Sequence, residues 1–111
     1  MIGAMIGDVV GSRFEFHNQL SKDFEFFHRR CSFTDDTVMT CAVAQGLMDS
    51  KSDWSDLSEK TIESMQRIGR QFPYCGYGAR FINWMFTDDP QPYNSCGNGS
   101  AMRISPVGFA A

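Results

Sequence analysis

Three short stretches of this sequence combine residue types that could do chemistry. The first is Phe33-Thr34-Asp35-Asp36-Thr37, directly before an apolar run. Adjacent aspartates at a helix start have a plain use: they cap orphan N–H groups and complement the helix dipole, at about 0.5–2 kcal/mol for a cap. They also have a chemical one. Mg²⁺ prefers carboxylate and hydroxyl oxygens and usually keeps some of its waters. Neighbouring positions inside a helix point about 100° apart, so two carboxylates and a hydroxyl converge only where the backbone bends, as at a helix entry. The same string recurs at Phe86-Thr87-Asp88-Asp89, but Pro90 follows it. That copy leaves a helix rather than opening one, its carboxylates oppose the dipole, and it reads as a surface turn.

The second stretch runs from Asn94 to Arg103. A Gly97-Asn98-Gly99 loop leading into a helix exposes backbone N–H groups and suits an anion such as phosphate. No Gly-Lys-Ser/Thr follows, so it is not a Walker loop, and the third glycine of the dinucleotide fingerprint is missing. Simple turn chemistry explains the pattern equally well. The third stretch is Gly7-Asp8-Val9-Val10-Gly11-Ser12-Arg13-Phe14-Glu15. Glu15 stands between Phe14 and Phe16, and a carboxylate against aromatics can keep its proton to higher pH and serve as acid or base. Its plain reading is a surface residue paired with Arg13, Arg29 or Arg30.

The elements that must position these residues are helical. Ile2, Met5, Ile6, Val9 and Val10 form the i, i+3, i+4, i+7, i+8 stripe of a buried helix face. Gly3, Gly7 and Gly11 line another side, which predicts close helix–helix packing, with room for a ligand beside Asp8 as the sharper alternative. Residues 12–33 carry six Phe without a clean period, which predicts a structured loop anchored by aromatics. Residues 36–49 are apolar nearly all round and predict a mostly buried helix. Asp56 and Glu59 have capping-box spacing, and Leu57, Thr61, Met65, Ile68 and Phe72 form the stripe of an amphipathic helix ended by Pro73. A turn over 74–78, a short helix over 79–86 and a helical 101–111 broken at Pro106 complete the chain. Nothing has a strong strand period, so the predicted class is all-α.

The chain has 111 residues, 10 Lys+Arg against 13 Asp+Glu, 42% apolar and 21% charged residues. It is too apolar to be disordered throughout and not basic enough to hold nucleic acid by bulk charge. No apolar run reaches the roughly 18 residues of a membrane span. Cys31, Cys41, Cys75 and Cys96 form no CxxC pair, and the apolar start meets Asp8 without a basic leader. The expected location is therefore the cytoplasm, with free thiols.

Together, Gly3-Ala4-Met5-Ile6-Gly7-Asp8 with Gly11 and Glu15, Phe33-Thr34-Asp35-Asp36-Thr37 with Met39-Thr40, and Asn94-Ser95-Cys96-Gly97-Asn98-Gly99-Ser100-Ala101-Met102-Arg103 resemble the ADP-ribosylglycohydrolase family. The resemblance runs from residue 2 to residue 111. It implies an orthogonal all-α bundle around two Mg²⁺ or Mn²⁺ ions and hydrolysis of ADP-ribosyl groups on proteins or small molecules. On that likeness the metal ligands fall on Thr34, Asp35 and Asp36, and the catalytic acids on Glu15, Asp35 and Asp36. Substrate contacts fall on Asn94, Ser95, Cys96, Gly97, Asn98 and Gly99; some relatives carry an aromatic where this chain has Cys96. The alternatives are a non-catalytic, crystallin-like protein on the same scaffold and a generic Mg²⁺-dependent phosphohydrolase.

The family's late Asp-x-Asp-Thr metal motif does not occur in this sequence. Residues 1–111 are therefore expected to form the N-terminal portion of one such domain, with the C-terminal portion as partner. Exposed apolar surface and marginal stability are expected of them alone.

Overall fold

A computed structural model describes all 111 residues, and every regular element in it is a helix. The elements are α1 (Ile2–Gly11), a 3₁₀ turn (Ser12–Phe14), α2 (Asp35–Asp49), α3 (Leu57–Gly69), α4 (Ala79–Phe86), α5 (Gly99–Met102) and α6 (Ser105–Ala110). No helix is long and apolar enough to cross a membrane.

The near-continuous apolarity of α2 makes it the hub. Its Val38, Met39, Thr40, Ala42, Val43 and Gly46 are buried, and α1, α3, α5 and α6 all pack on it. The core joins Val38, Met39, Ala42 and Val43 to Met65 of α3, to Tyr77 of the turn before α4 and to Met85 of α4. It is thin: 13 of 111 residues are buried, and large side chains such as Ile2, Phe16, Leu20 and Phe109 are exposed. The radius of gyration is 15.0 Å, against about 13 Å for a compact chain of this length. The expected exposed apolar surface is present.

Helices α2 and α3 approach each other closely at Gly46. A methyl built on Gly46 would stand 2.7 Å from the Thr61 Cα, a backbone atom that cannot swing aside. Gly46→Ala should therefore lower stability by about 1–3 kcal/mol, despite the better helix propensity of Ala. Gly3→Ala is the control. A methyl there meets nothing within 4 Å, so it should stabilise by up to about 1 kcal/mol. Urea midpoints of the two variants check both signs.

Several sequence expectations are corrected. The three α1 glycines do not serve close packing: a methyl on Gly3, Gly7 or Gly11 touches nothing. Of the α1 apolar stripe only Val10 is buried, while Ile2 and Ile6 are 73% and 40% exposed. Asp56 precedes α3 but its side chain does not cap it; it accepts instead from the Lys51 N–H at 2.9 Å. Helix α3 ends at Gly69, before Pro73, because residues 70–72 tighten into i→i+3 and i→i+4 turns. This frees Phe72 to meet Phe33 edge-on at 5.7 Å. Pro106 does not break the last helix but sits in the first turn of α6, where its missing N–H costs nothing.

Two anchoring devices matter for the site. Gln66 and Arg70, on and just after α3, cap the end of α4. Gln66 Nε2 donates to the Trp84 and Thr87 carbonyls at 3.1 and 2.9 Å, and Arg70 Nε donates to the Met85 carbonyl at 2.7 Å. The 12–33 loop is held as expected by aromatics: Phe14 meets Phe24 edge-on at 5.1 Å, and the Arg13 guanidinium lies 4.4 Å from the Phe14 ring centroid. The loop closes where the Ser32 N–H donates to Ser12 Oγ at 3.1 Å, which brings the end of α1 to the start of α2.

Candidate functional site

The two helix ends brought together by that loop are joined through one carboxylate. Asp8 of α1 accepts four hydrogen bonds from the entry of α2. They come from the Thr34 N–H at 2.8 Å, Thr34 Oγ1 at 2.5 Å, the Thr37 N–H at 3.2 Å and Thr37 Oγ1 at 2.6 Å. Thr34 is itself the N-cap, accepting from the Asp36 N–H at 3.3 Å. The first turn of α2 is thus capped by Thr34 and by a residue 26 positions earlier. The side chains of Asp35 and Asp36 cap no N–H group, although both stand in the first turn of α2, where their charge complements the helix dipole.

Their carboxylates are left without a hydrogen-bond donor from another residue and carry an electrostatic load. Burial, then Asp36, then Glu15 and Asp8, push the Asp35 carboxyl from 3.8 up to about 6, against its own backbone N–H, which pulls it down. Burial, then Asp8 and Glu15, also raise Asp36. The turn over 74–78 completes this wall. The Asp35 N–H donates to the Cys75 carbonyl at 2.8 Å. Gly76 has φ +101°, and a side chain there would begin 3.3 Å from Asp35 Oδ1. The positive φ favours glycine there, and a side chain would also press on the Asp35 carboxylate. Burial, and then Asp35 and Asp8, raise the Cys75 thiol.

The load on Asp35 has a measurable sign. A carboxyl raised on folding costs nothing below the unfolded value of 3.8 and costs most above about 6. Linkage puts the full effect at roughly 3 kcal/mol, which solvent screening of a half-exposed group reduces to about 1. Asp35→Asn should therefore stabilise the chain near pH 7 by about 1 kcal/mol and leave it unchanged below about pH 4. Urea unfolding with a chelator present, at the two pH values, checks this. Equal stabilisation at both would refute the electrostatic cause.

Every residue given a catalytic, metal or substrate role by the family resemblance lines one open cleft of about 1420 Å³, larger than the roughly 300–1,000 Å³ of closed ligand pockets. Glu15, Thr34, Asp35 and Asp36 lie on it, with Gly7, Asp8 and Gly11 of α1 beside them. Gly7 and Gly11 therefore leave the space beside Asp8 clear. Residues 94–99 also line the cleft. Arg80 tethers this loop: its Nη1 donates to the Asn94 carbonyl at 2.7 Å, and its guanidinium lies 4.8 Å from the Tyr93 centroid.

Two expectations change in detail. The Gly97 N–H is committed to Ser95 Oγ at 3.1 Å, and α5 is a single turn of four residues, so the dipole of that helix end is small. Glu15 is exposed and forms no ion pair with Arg13, Arg29 or Arg30. The second Phe-Thr-Asp-Asp string leaves α4 as an exposed bend, as expected. The four cysteines are free. Asp8, Thr37, Gly76 and Arg103 also border or brace the site. Asp8, Thr37 and Arg103 lie within the three sequence motifs but drew no role there, and Gly76 carried only a turn signal.

No group of three or more His, Cys, Asp or Glu side chains stands close enough to hold a metal ion. The donor set nevertheless suits a hard cation. Asp35 and Asp36 are uncommitted carboxylates whose mutual repulsion a cation would relieve. Thr34 Oγ1 donates once and accepts once, which leaves it a lone pair.

Comparison with known proteins places this chain among relatives. The chain is 25% identical over 136 aligned residues to the ADP-ribosylhydrolase ARH3 of Xenopus tropicalis and 27% identical over 141 to that of Mus musculus. The alignments cover 99% of this chain but only 38% and 37% of those proteins. No solved structure matches. The ADP-ribosylglycohydrolase family model matches residues 1–111, the full length described, and the chain belongs to that family.

Proposed function

We propose that this chain is the N-terminal portion of a metal-dependent hydrolase that releases ADP-ribose from ADP-ribosylated proteins or small molecules. The observation that carries this reading is the shared cleft: two raised, uncommitted aspartates at the start of α2 and the tethered 94–99 loop line one cavity. Its relatives are named as ADP-ribosylhydrolases. They carry sequence beyond the part matched here, and turnover belongs to the chain together with that remaining portion.

Thr34, Asp35 and Asp36 would hold Mg²⁺ or Mn²⁺, one of two ions shared with the remaining portion. Such an ion would polarise a water and orient the sugar hydroxyls. Glu15, exposed on the cleft, takes the proton of the attacking water as its oxygen bonds to the ribose C1″. The bond from C1″ to the acceptor nitrogen or oxygen breaks, and the proton passes to that leaving atom. Asn94, Ser95, Cys96, Asn98 and the Gly97 and Gly99 backbone hold the ADP-ribose in register. The free thiols suit a reducing cytoplasm.

Calorimetry of ADP-ribose with the 111-residue chain, with and without Mg²⁺, tests the reading. The expected result is binding that strengthens at least tenfold with the metal, about 1.4 kcal/mol. Absence of binding in both conditions would favour a non-catalytic protein on the same scaffold.

A further inference from the structure

The chain has four asparagines, and the structure gives them unequal surroundings. Asn83 lies inside α4, ahead of the bulky Trp84, with its backbone held in the helix. Asn18 precedes Gln19 in the 12–33 loop, and Asn94 precedes Ser95 with its carbonyl held by Arg80 Nη1 at 2.7 Å. Asn98 alone precedes a glycine. It is exposed, and although it stands at the N-cap of α5 its side chain caps nothing. The Gly99 N–H donates to no backbone carbonyl, whereas the Gly97 N–H is committed to Ser95 Oγ at 3.1 Å. A free side-chain amide thus stands next to a free backbone nitrogen, with no Cβ on the following residue to keep them apart.

Little holds the two in an unreactive arrangement. Asn98 sits at φ -85°, ψ 8°, kept there by its carbonyl, which accepts from the Ala101 and Met102 N–H groups at 2.8 and 3.1 Å. These are the bonds of a four-residue helix, and a single turn by itself is marginal in water. When it opens, rotation about ψ swings the Gly99 nitrogen onto Asn98 Cγ. Arg103 Nη1 stands 3.6 Å from where a Gly99 side chain would begin, and a cation there favours loss of the Gly99 amide proton.

We propose that Asn98–Gly99 is a modification site at which the folded chain deamidates without an enzyme, turning a cleft-lining amide into a carboxylate. The Gly99 nitrogen gives up its proton and bonds to Asn98 Cγ. The bond from Cγ to the side-chain nitrogen breaks, and that nitrogen leaves with the proton as ammonia. Water then opens the cyclic imide at either carbonyl and leaves aspartate or isoaspartate, with no change of oxidation state. The product adds one negative charge to a chain of formal net charge -3, and a fifth acid to a cleft that holds Asp8, Glu15, Asp35 and Asp36. Isoaspartate also lengthens the backbone at the start of α5, which loosens the seat of Met102, whose carbonyl accepts from Thr40 Oγ1 at 3.5 Å. None of this depends on the proposed function.

Storage of the 111-residue chain at mildly alkaline pH, followed by ion exchange and peptide mass spectrometry, tests the proposal. The expected result is an acidic form whose added mass maps to Asn98, formed at least about tenfold faster than any change at Asn94 or Asn18. G99A should slow the conversion about tenfold, because the new Cβ hinders the backbone rotation. R103M should slow it about fivefold, with R103K near the wild type. Stored in urea, the unfolded chain should react no more than about tenfold faster than the folded one. An Asn98 that stays intact, whether or not Asn94 or Asn18 converts, overturns the proposal. So does an Asn98 that reacts more than about tenfold faster in urea than in the folded chain, since α5 would then lock the amide in place.

Discussion

Asp8→Ala is expected to cost the chain about 3 kcal/mol of stability, more than any other polar substitution in it. The carboxylate accepts from two backbone N–H groups and two hydroxyls at the entry of α2, all within 3.2 Å. Bonds to a charged acceptor contribute about 1.5–3 kcal/mol each, and four on one carboxylate are not additive. The loss falls on a first turn whose remaining caps are a 3.3 Å bond from the Asp36 N–H to Thr34 Oγ1 and a 2.8 Å bond from the Asp35 N–H to the Cys75 carbonyl. It also unfastens α1 from α2, because Val10 is the only buried residue of α1. Asp8→Asn should cost about half as much, since the amide keeps one acceptor oxygen but turns a donor toward the threonines. Urea unfolding by linear extrapolation measures both. A change for Asp8→Ala below about 0.5 kcal/mol would show that the four bonds do not hold the two helices.

The second large effect is on function. Asp35→Ala combined with Asp36→Ala should remove the Mg²⁺-dependent part of ADP-ribose binding and lower turnover in the protein carrying the remaining portion by about a thousandfold. The two carboxylates are the uncommitted hard donors on the cleft, and no other side chain on α2 replaces them. Stability should move the other way. Both carboxyls are raised by burial and by their acidic neighbours, so their removal relieves repulsion at neutral pH. A variant that is folded, at least as stable and inactive distinguishes a site lesion from a folding lesion. Activity within tenfold of the unaltered protein would end the metal-ligand assignment.

Much of the scaffold was legible because it is local. Helix α2 follows from an apolar run behind Thr34, and α4 from the run between Gly78 and Pro90. The boundaries that moved are set by longer reach. Asp56 turned to the Lys51 N–H instead of capping α3, and Phe72 left the helix to meet Phe33. Glycine spacing at 3, 7 and 11 was consistent with packing or with open space. Only the absence of any neighbour across it selected the second.

The two Phe-Thr-Asp-Asp strings show where the division lies. Sequence alone separated them, since Val38-Met39 continues one as a helix and Pro90 ends the other. It also supplied the family, through three motifs in order. What it could not assign was the work of each aspartate at 35 and 36, because a cap and a metal ligand demand the same residues at the same position. The tertiary structure decided which groups do the capping: Asp8, brought across from another helix, together with Thr34 and the Cys75 carbonyl. With the Thr37 N–H satisfied by that distant carboxylate, the carboxylates of Asp35 and Asp36 line the cleft without a donor of their own, raised by burial and by their acidic neighbours. A contact across 26 residues has no periodicity to read, and it exists only when both helices are folded together.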